Sequence, residues 1–210
     1  MRTRIKFCGC TSVHDVMLAV ETGADAVGMI FAPSPRRIAE SAAKDIAVAL
    51  PPFITPVGVF VNPSYDDIAR AKSIFPDLVV QLGGDETPTF VSSLEGKVIK
   101  TVHVLPDGET EEAINERTEH HPRAIILYDT KVDGAAGGTG QPFAWRSVAP
   151  IARRRAVIVA GGLTPATVSN CVRTVRPYGV DVRSGIESEG RKDMAKMRAF
   201  VQAVKDTDGS

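Results

Sequence analysis

Eight times along the chain, a short apolar, β-branched run gives way to a stretch with helical character. The runs fall at 4–8, 25–31, 56–61, 78–82, 97–102, 123–128, 156–160 and 179–183. Most are rich in Val and Ile, as parallel strands covered on both faces require. The stretches between them carry helix signals. Ser12 can cap a helix reaching Glu21, with Val13, Val16, Met17 and Val20 on one stripe. Ser64 can open another, with Ile68, Ala71, Ile74 and Phe75 as its buried positions. Thr164-Pro165 reads as a cap with proline at the first helical position, where its missing N–H is not needed. A last helix over 193–204 buries Met194, Met197, Phe200, Val201 and Val204, leaving 206–210 as a frayed tail. The helix signals after the fourth and sixth runs are weaker, since Thr87-Pro88 and Gln141-Pro142 point to short or late starts.

Strands alternating with helices imply βα units joined by right-handed crossovers. Eight units close into a single-domain (βα)8, or TIM, barrel, predicted over 1–205. An open doubly wound sheet is the alternative. Against it, no G-x-G-x-x-G opens the first helix, as dinucleotide binding in that fold would require.

The chain's 210 residues are enough for one large core. Lys plus Arg and Asp plus Glu both number 25, so there is no basic footprint for nucleic acid. No apolar run reaches membrane-spanning length, and the start, MRTRIKFCGC, lacks a signal-peptide core. Three cysteines, Cys8, Cys10 and Cys171, fit a reduced cytoplasmic protein. Cys8 and Cys10 form a C-x-C pair, but no second Cys/His pair stands at zinc-finger spacing, so no metal is expected.

In a βα barrel, ligands meet the C-terminal strand ends and the loops that follow. Those ends carry Cys8 and Gly9, then Pro33 to Arg37, then Gln81, Gly83 and Asp85. They continue with Asp129, Lys131 and the run Gly137, Gly138, Thr139, Gly140. Last come Gly161 and Gly162, then Asp181, Arg183, Ser184 and Gly185. Glycines after the last two strands let bare N–H groups approach an anion, so Gly161, Gly162, Ser184 and Gly185 are the candidate phosphate site. The plain alternatives are a buried structural thiol at Cys8, a turn residue at Asp129 and a solvated cation at Arg36.

In chain order, KFCGCT, ADAVGMIFAPSPRRI, VGVFVN, QLGGDE, VIK, YDTKVDGAAGGTGQPFAW, VIVAGGLTP and GVDVRSGIESEGRKD resemble the segments of the phosphoribosylanthranilate isomerases. The likeness spans nearly the whole chain. It implies a cofactor-free (βα)8 enzyme of tryptophan biosynthesis performing an Amadori rearrangement on a phosphorylated small molecule. It assigns Cys8 as general base and Asp129 as general acid. It places Arg36 on the anthranilate carboxylate and Asp181 on a ribose hydroxyl. A thiol needs only a modest downward shift to act as base, whereas Asp129 must have its pKa raised to keep a proton. The Gly137–Gly140 run reads as a lid. Either a monomer or a homodimer is compatible with the chain.

Two positions depart from the family pattern. Arg183 stands where serine is usual, and Gly83 where histidine is frequent. Cys10 replaces an aliphatic residue. Arg183 is expected to pair with Asp181 or to contact the phosphate, and to fill the volume left by Gly83. The rival functions are a diverged isomerase of another phosphorylated aminosugar and a non-catalytic phosphosugar binder.

Overall fold

A computed structural model describes residues 2–130 and 143–209. The strands are β1 (Arg4–Cys8), β2 (Ala26–Ile30), β3 (Thr55–Phe60), β4 (Val79–Leu82), β5 (Val98–Val104), β6 (Ile125–Thr130), β7 (Val157–Val159) and β8 (Gly179–Val182). They form a closed parallel barrel in sequence order, with β1 paired to β8 across the closing seam. The helices are α1 (Val13–Thr22), α2 (Glu40–Ala49), α3 (Tyr65–Ile74), α4 (Pro88–Ser93), α5 (Glu111–Glu119), α6 (Ala149–Ala152), α7 (Val168–Val175) and α8 (Met194–Asp208). Each expected run holds a strand, with ends shifted by up to two residues.

Strand alternation divides the apolar residues into two cores. Val57, Ile99, Leu127, Ile158 and Ala160 fill the barrel interior. Phe7, Met29, Val80, Leu82, Ile126 and Tyr128 face outward against the helices. There Val16, Ile46, Ile68, Ile114, Val172 and Phe200 meet them, and Phe200 packs edge-on to Phe7 at 6.1 Å between centroids. This two-sided cover is why the strands read as continuous apolar runs.

Local signals explain most helix starts. The Ser12 hydroxyl accepts from the Asp15 N–H, and Ser64 and Asp67 form a reciprocal capping box. Thr87 caps α4 with Pro88 in its first turn. Two expectations change. The Thr164-Pro165 pair opens a turn, and α7 begins only at Val168. The Thr167 hydroxyl is drawn back to the Thr164 N–H, which tightens that turn ahead of the helix. The last helix also runs past Val204, so residues 206–208 are helical rather than frayed. The Asp208 carboxylate holds the Thr3 N–H and hydroxyl, each at 2.7 Å, and so fastens the two ends of the chain together. Among the described residues, no helix is long and apolar enough to cross a membrane.

Candidate active site

The C-terminal strand ends open into one cavity of 360 Å³, a size suited to a small ligand. Cys8, Arg36, Asp129, Gly161, Gly162, Asp181 and Ser184 all line it. Gly185 stands behind the wall, where an added methyl would overlap the Leu163 carbonyl. This close approach locks the β7 and β8 loops together. Gly161 and Gly162 take φ of 79° and 64°, values that favour glycine. A methyl on Gly161 would collide with Thr130 and come within 2.9 Å of Asp129 Oδ1, so only glycine lets this loop pass over the acid. Gly137, Gly138, Thr139 and Gly140 lie outside the described residues.

Cys8 ends β1 facing inward, two residues beyond Lys6. The Lys6 ammonium donates to Asp181 Oδ1 at 2.9 Å, and both side chains are almost wholly buried. These residues are register partners across the β1–β8 seam. Gly28 on β2 makes room for the group: a methyl there would lie 2.9 Å from Cys8 Sγ and 3.1 Å from Lys6 Nζ. Burial disfavours charge on Lys6, but Asp181 and the Cys8 sulfur hold its pKa above the ordinary lysine value. For Cys8 the balance differs from the sequence expectation. Burial pushes the thiol up, and the opposing pull of Lys6 does not overcome it. Cys10 is deeper in the shell, where burial raises its thiol to about 12.

Asp129 is the penultimate residue of β6, on the other side of the β7–β8 loops from Cys8. Desolvation raises its pKa, as a general acid requires. Positive charge on His103 opposes this, Asp181 adds to it, and the Thr130 N–H and Arg183 work against it. Arg36 donates to Glu187 Oε2 at 2.6 Å. The other oxygen of Glu187 accepts from Lys192 at 2.9 Å, and Lys192 also donates to the Cys8 carbonyl at 2.6 Å. A two-strand ribbon, Glu187–Ser188 with Arg191–Lys192, thus ties Arg36 to the backbone of Cys8.

Both departures line the cavity. Asp181 pairs with Lys6, and the Arg183 side chain runs along Gly9 toward Arg36. A methyl on Gly9 would meet Arg183 Cγ and Cδ at 3.2 Å and Arg36 Cδ at 3.5 Å. The stem of Arg183 therefore passes over Gly9, just beyond the end of β1. What reaches Gly83 is His103, whose Nε2 lies 3.3 Å from the Gly83 carbonyl oxygen. The expected fifth run stopped at Val102, one residue short. The observed β5 continues to Val104 and brings His103 into the cavity. Extending the inward alternation of Ile99 and Thr101 by one step was the available signal. Glu187 and Lys192 carried no comparable signal, because they reach the site through the ribbon.

A family model for N-(5'-phosphoribosyl)anthranilate (PRA) isomerase matches residues 5–203. The N-(5'-phosphoribosyl)anthranilate isomerase of Leptothrix cholodnii is 44% identical over 209 residues, covering 99% of this chain and 93% of the relative. The crystal structure of phosphoribosyl anthranilate isomerase from Thermotoga maritima superposes with a TM-score of 0.87 at 37% identity, covering 97% and 99% of the two chains. A phosphoribosyl anthranilate isomerase in complex with reduced 1-(o-carboxyphenylamino)-1-deoxyribulose 5-phosphate gives 0.84 at 36% identity, covering the same shares. The likeness extends over the barrel and the loops that build its mouth, and the chain belongs to the N-(5'-phosphoribosyl)anthranilate isomerase family.

Proposed function

We propose that this chain isomerises N-(5'-phosphoribosyl)anthranilate to 1-(o-carboxyphenylamino)-1-deoxyribulose 5-phosphate, with Asp129 as general acid and Cys8 as general base. The reaction is a step of tryptophan biosynthesis, which we place in the cytoplasm. One observation carries the assignment: Cys8 and Asp129 line one cavity from β1 and β6, with the β7 and β8 loops between them.

In this reading the phosphate rests on the N–H groups of Gly161, Gly162, Ser184 and Gly185. The ribose then extends over the barrel with Asp129 on one side and Cys8 on the other. Asp129 gives its proton to the furanose ring oxygen, the C1'–O bond breaks, and a protonated Schiff base forms. The Cys8 thiolate takes the proton from C2', and its electron pair neutralises the iminium to give an enolamine. The enol O–H proton is lost and C1' gains one, which completes the ketone. Lys6 stabilises the thiolate, and Arg36 holds the anthranilate carboxylate through its planar guanidinium. Either a monomer or a homodimer is compatible with this reading.

The deciding experiment is turnover of freshly generated phosphoribosylanthranilate, followed by loss of anthranilate-type fluorescence. Wild type should turn over. Cys8→Ala and Asp129→Ala should each lose about 10²–10⁴ in kcat, the usual reach of a positioned acid or base. A folded wild type without turnover overturns the function. An active variant overturns that residue's role.

A further inference from the structure

Lys192 has no part in the mechanism above, yet its side chain is only 2% exposed. Lysine is almost never buried this far unless it is paired. It does not line the cavity. Its ammonium sits behind the wall, donating to the Cys8 carbonyl oxygen at 2.6 Å and to Glu187 Oε1 at 2.9 Å. Glu187 has a counter-ion without it, because its other oxygen holds Arg36 at 2.6 Å.

The chain builds this arrangement locally. The turn Glu189-Gly190 takes φ of 50° and 75°, the two positive values that a tight hairpin turn requires. It sets Lys192 opposite Glu187 as its register partner, so both side chains leave the ribbon on one face. Three further contacts fix the ribbon. The Asp193 N–H donates to the Ile186 carbonyl at 3.0 Å, the Ser188 hydroxyl to Asp193 Oδ2 at 2.6 Å, and the Lys196 ammonium to the Glu187 carbonyl at 2.7 Å. The ribbon is thus a braced arm that carries one cation to the backbone of Cys8. Gly9, next in the chain, takes φ of 75°, so the backbone turns just where the ammonium holds it.

The base needs such a cation. Burial pushes the Cys8 thiol up, and Lys6 is the first influence against this. The Lys6 ammonium is itself engaged by Asp181, whose charge pushes the thiol up again. Lys192 draws the thiol down. Glu187 is shared between Lys192 and Arg36, so it neutralises neither alone. The remaining charged or titratable groups around Cys8 are Cys10 behind it, Arg36 from the β2 loop, Arg183 from β8, and His103 and Asp129 on β5 and β6.

We infer that Lys192 is a positioning residue for Cys8, fixing its backbone and setting a second positive charge beside its thiolate. This inference rests on the assignment of Cys8 as the base.

The test compares wild type with Lys192→Met, Lys192→Arg, and Lys192→Met combined with Glu187→Gln. Two profiles are measured: kcat against pH, and the pH dependence of Cys8 alkylation by iodoacetamide, located by peptide mass. Methionine keeps the apolar stem but neither the charge nor the hydrogen bonds. In Lys192→Met the alkylation profile and the rising limb of kcat should both move to higher pH by about one unit, as loss of one nearby charge predicts. KM should change less, since Arg36 still holds Glu187 through its other oxygen. Lys192→Arg keeps the charge and the donors and should return both profiles toward wild type. The combined variant removes the Glu187 charge as well, so it reports on the thiol even where Lys192→Met folds poorly. Its alkylation profile should show the same upward move. Profiles in Lys192→Met that are scaled down but not shifted mean that Lys192 only holds the ribbon, and they overturn the inference. So does a Lys192→Arg profile that stays with Lys192→Met. Full activity in Cys8→Ala would show instead that the base is misassigned. Alkylation does not depend on turnover, so the two failures are distinguishable.

Discussion

The Lys6 ammonium and the Asp181 carboxylate meet at 2.9 Å across the seam where β1 and β8 close the barrel. Removing one partner leaves the other charge buried and uncompensated, which costs about 3–5 kcal/mol. Lys6→Met should therefore lower the denaturation midpoint sharply. Lys6→Met combined with Asp181→Leu should recover much of that loss. Lys6→Met should also be slow near neutral pH and gain rate as pH rises, because the cation that favours the Cys8 thiolate is gone. Urea titration and a pH–rate profile check the two halves separately.

Gly28 tests how tightly the base is held. A methyl there would press on Cys8 Sγ at 2.9 Å, and a thiol on a strand has no flexible tail with which to retreat. Gly28→Ala should fold and bind substrate, yet lose about tenfold or more in kcat, since small misplacements of a reacting group are costly. An unchanged kcat would mean that Cys8 has slack that the structure does not show.

Glu187 joins Arg36 to Lys192, and with it the substrate clamp to the Cys8 backbone. Glu187→Gln keeps the shape but removes the charge from both contacts. Hydrogen bonds to charged groups are worth about 1.5–3 kcal/mol, so KM should rise roughly tenfold or more. Product-analogue affinity by calorimetry should weaken in step. An altered kcat with unchanged KM would remove Arg36 from the clamp role.

Asp129 should make stability depend on pH. Desolvation raises its folded pKa above the ordinary 3.8, so the folded chain binds this proton more tightly than the unfolded chain. Its contribution is full below 3.8 and is lost as pH rises through the folded value. Asp129→Asn removes that titration. Its stability should decline less than wild type as pH is raised from about 4 to 7. Parallel melting curves across that range would reject the expectation.

Element count, order and most caps were written in the chain itself. A parallel barrel strand is buried on both faces and reads as a compact Val/Ile run, and hydroxyl caps such as Ser12 and Ser64 act within three residues. Cys8, Asp129 and the glycine loops could be placed because each closes or follows a strand, and because their segments resemble a family. The tail beyond residue 205 was misjudged because Asp208 is held by Thr3, from the other end of the chain. His103 was missed because β5 runs to Val104, a length set by its pairing with β6. The Lys6–Asp181 pair, 175 positions apart, forms only when β8 returns to β1 in register. The Arg36–Glu187–Lys192 link forms only when the ribbon folds beside the mouth. Local chemistry made the strands and their ends legible. Closure of the barrel decided which buried charges found partners, because a charge removed from water is tolerated only where the fold supplies its counterpart.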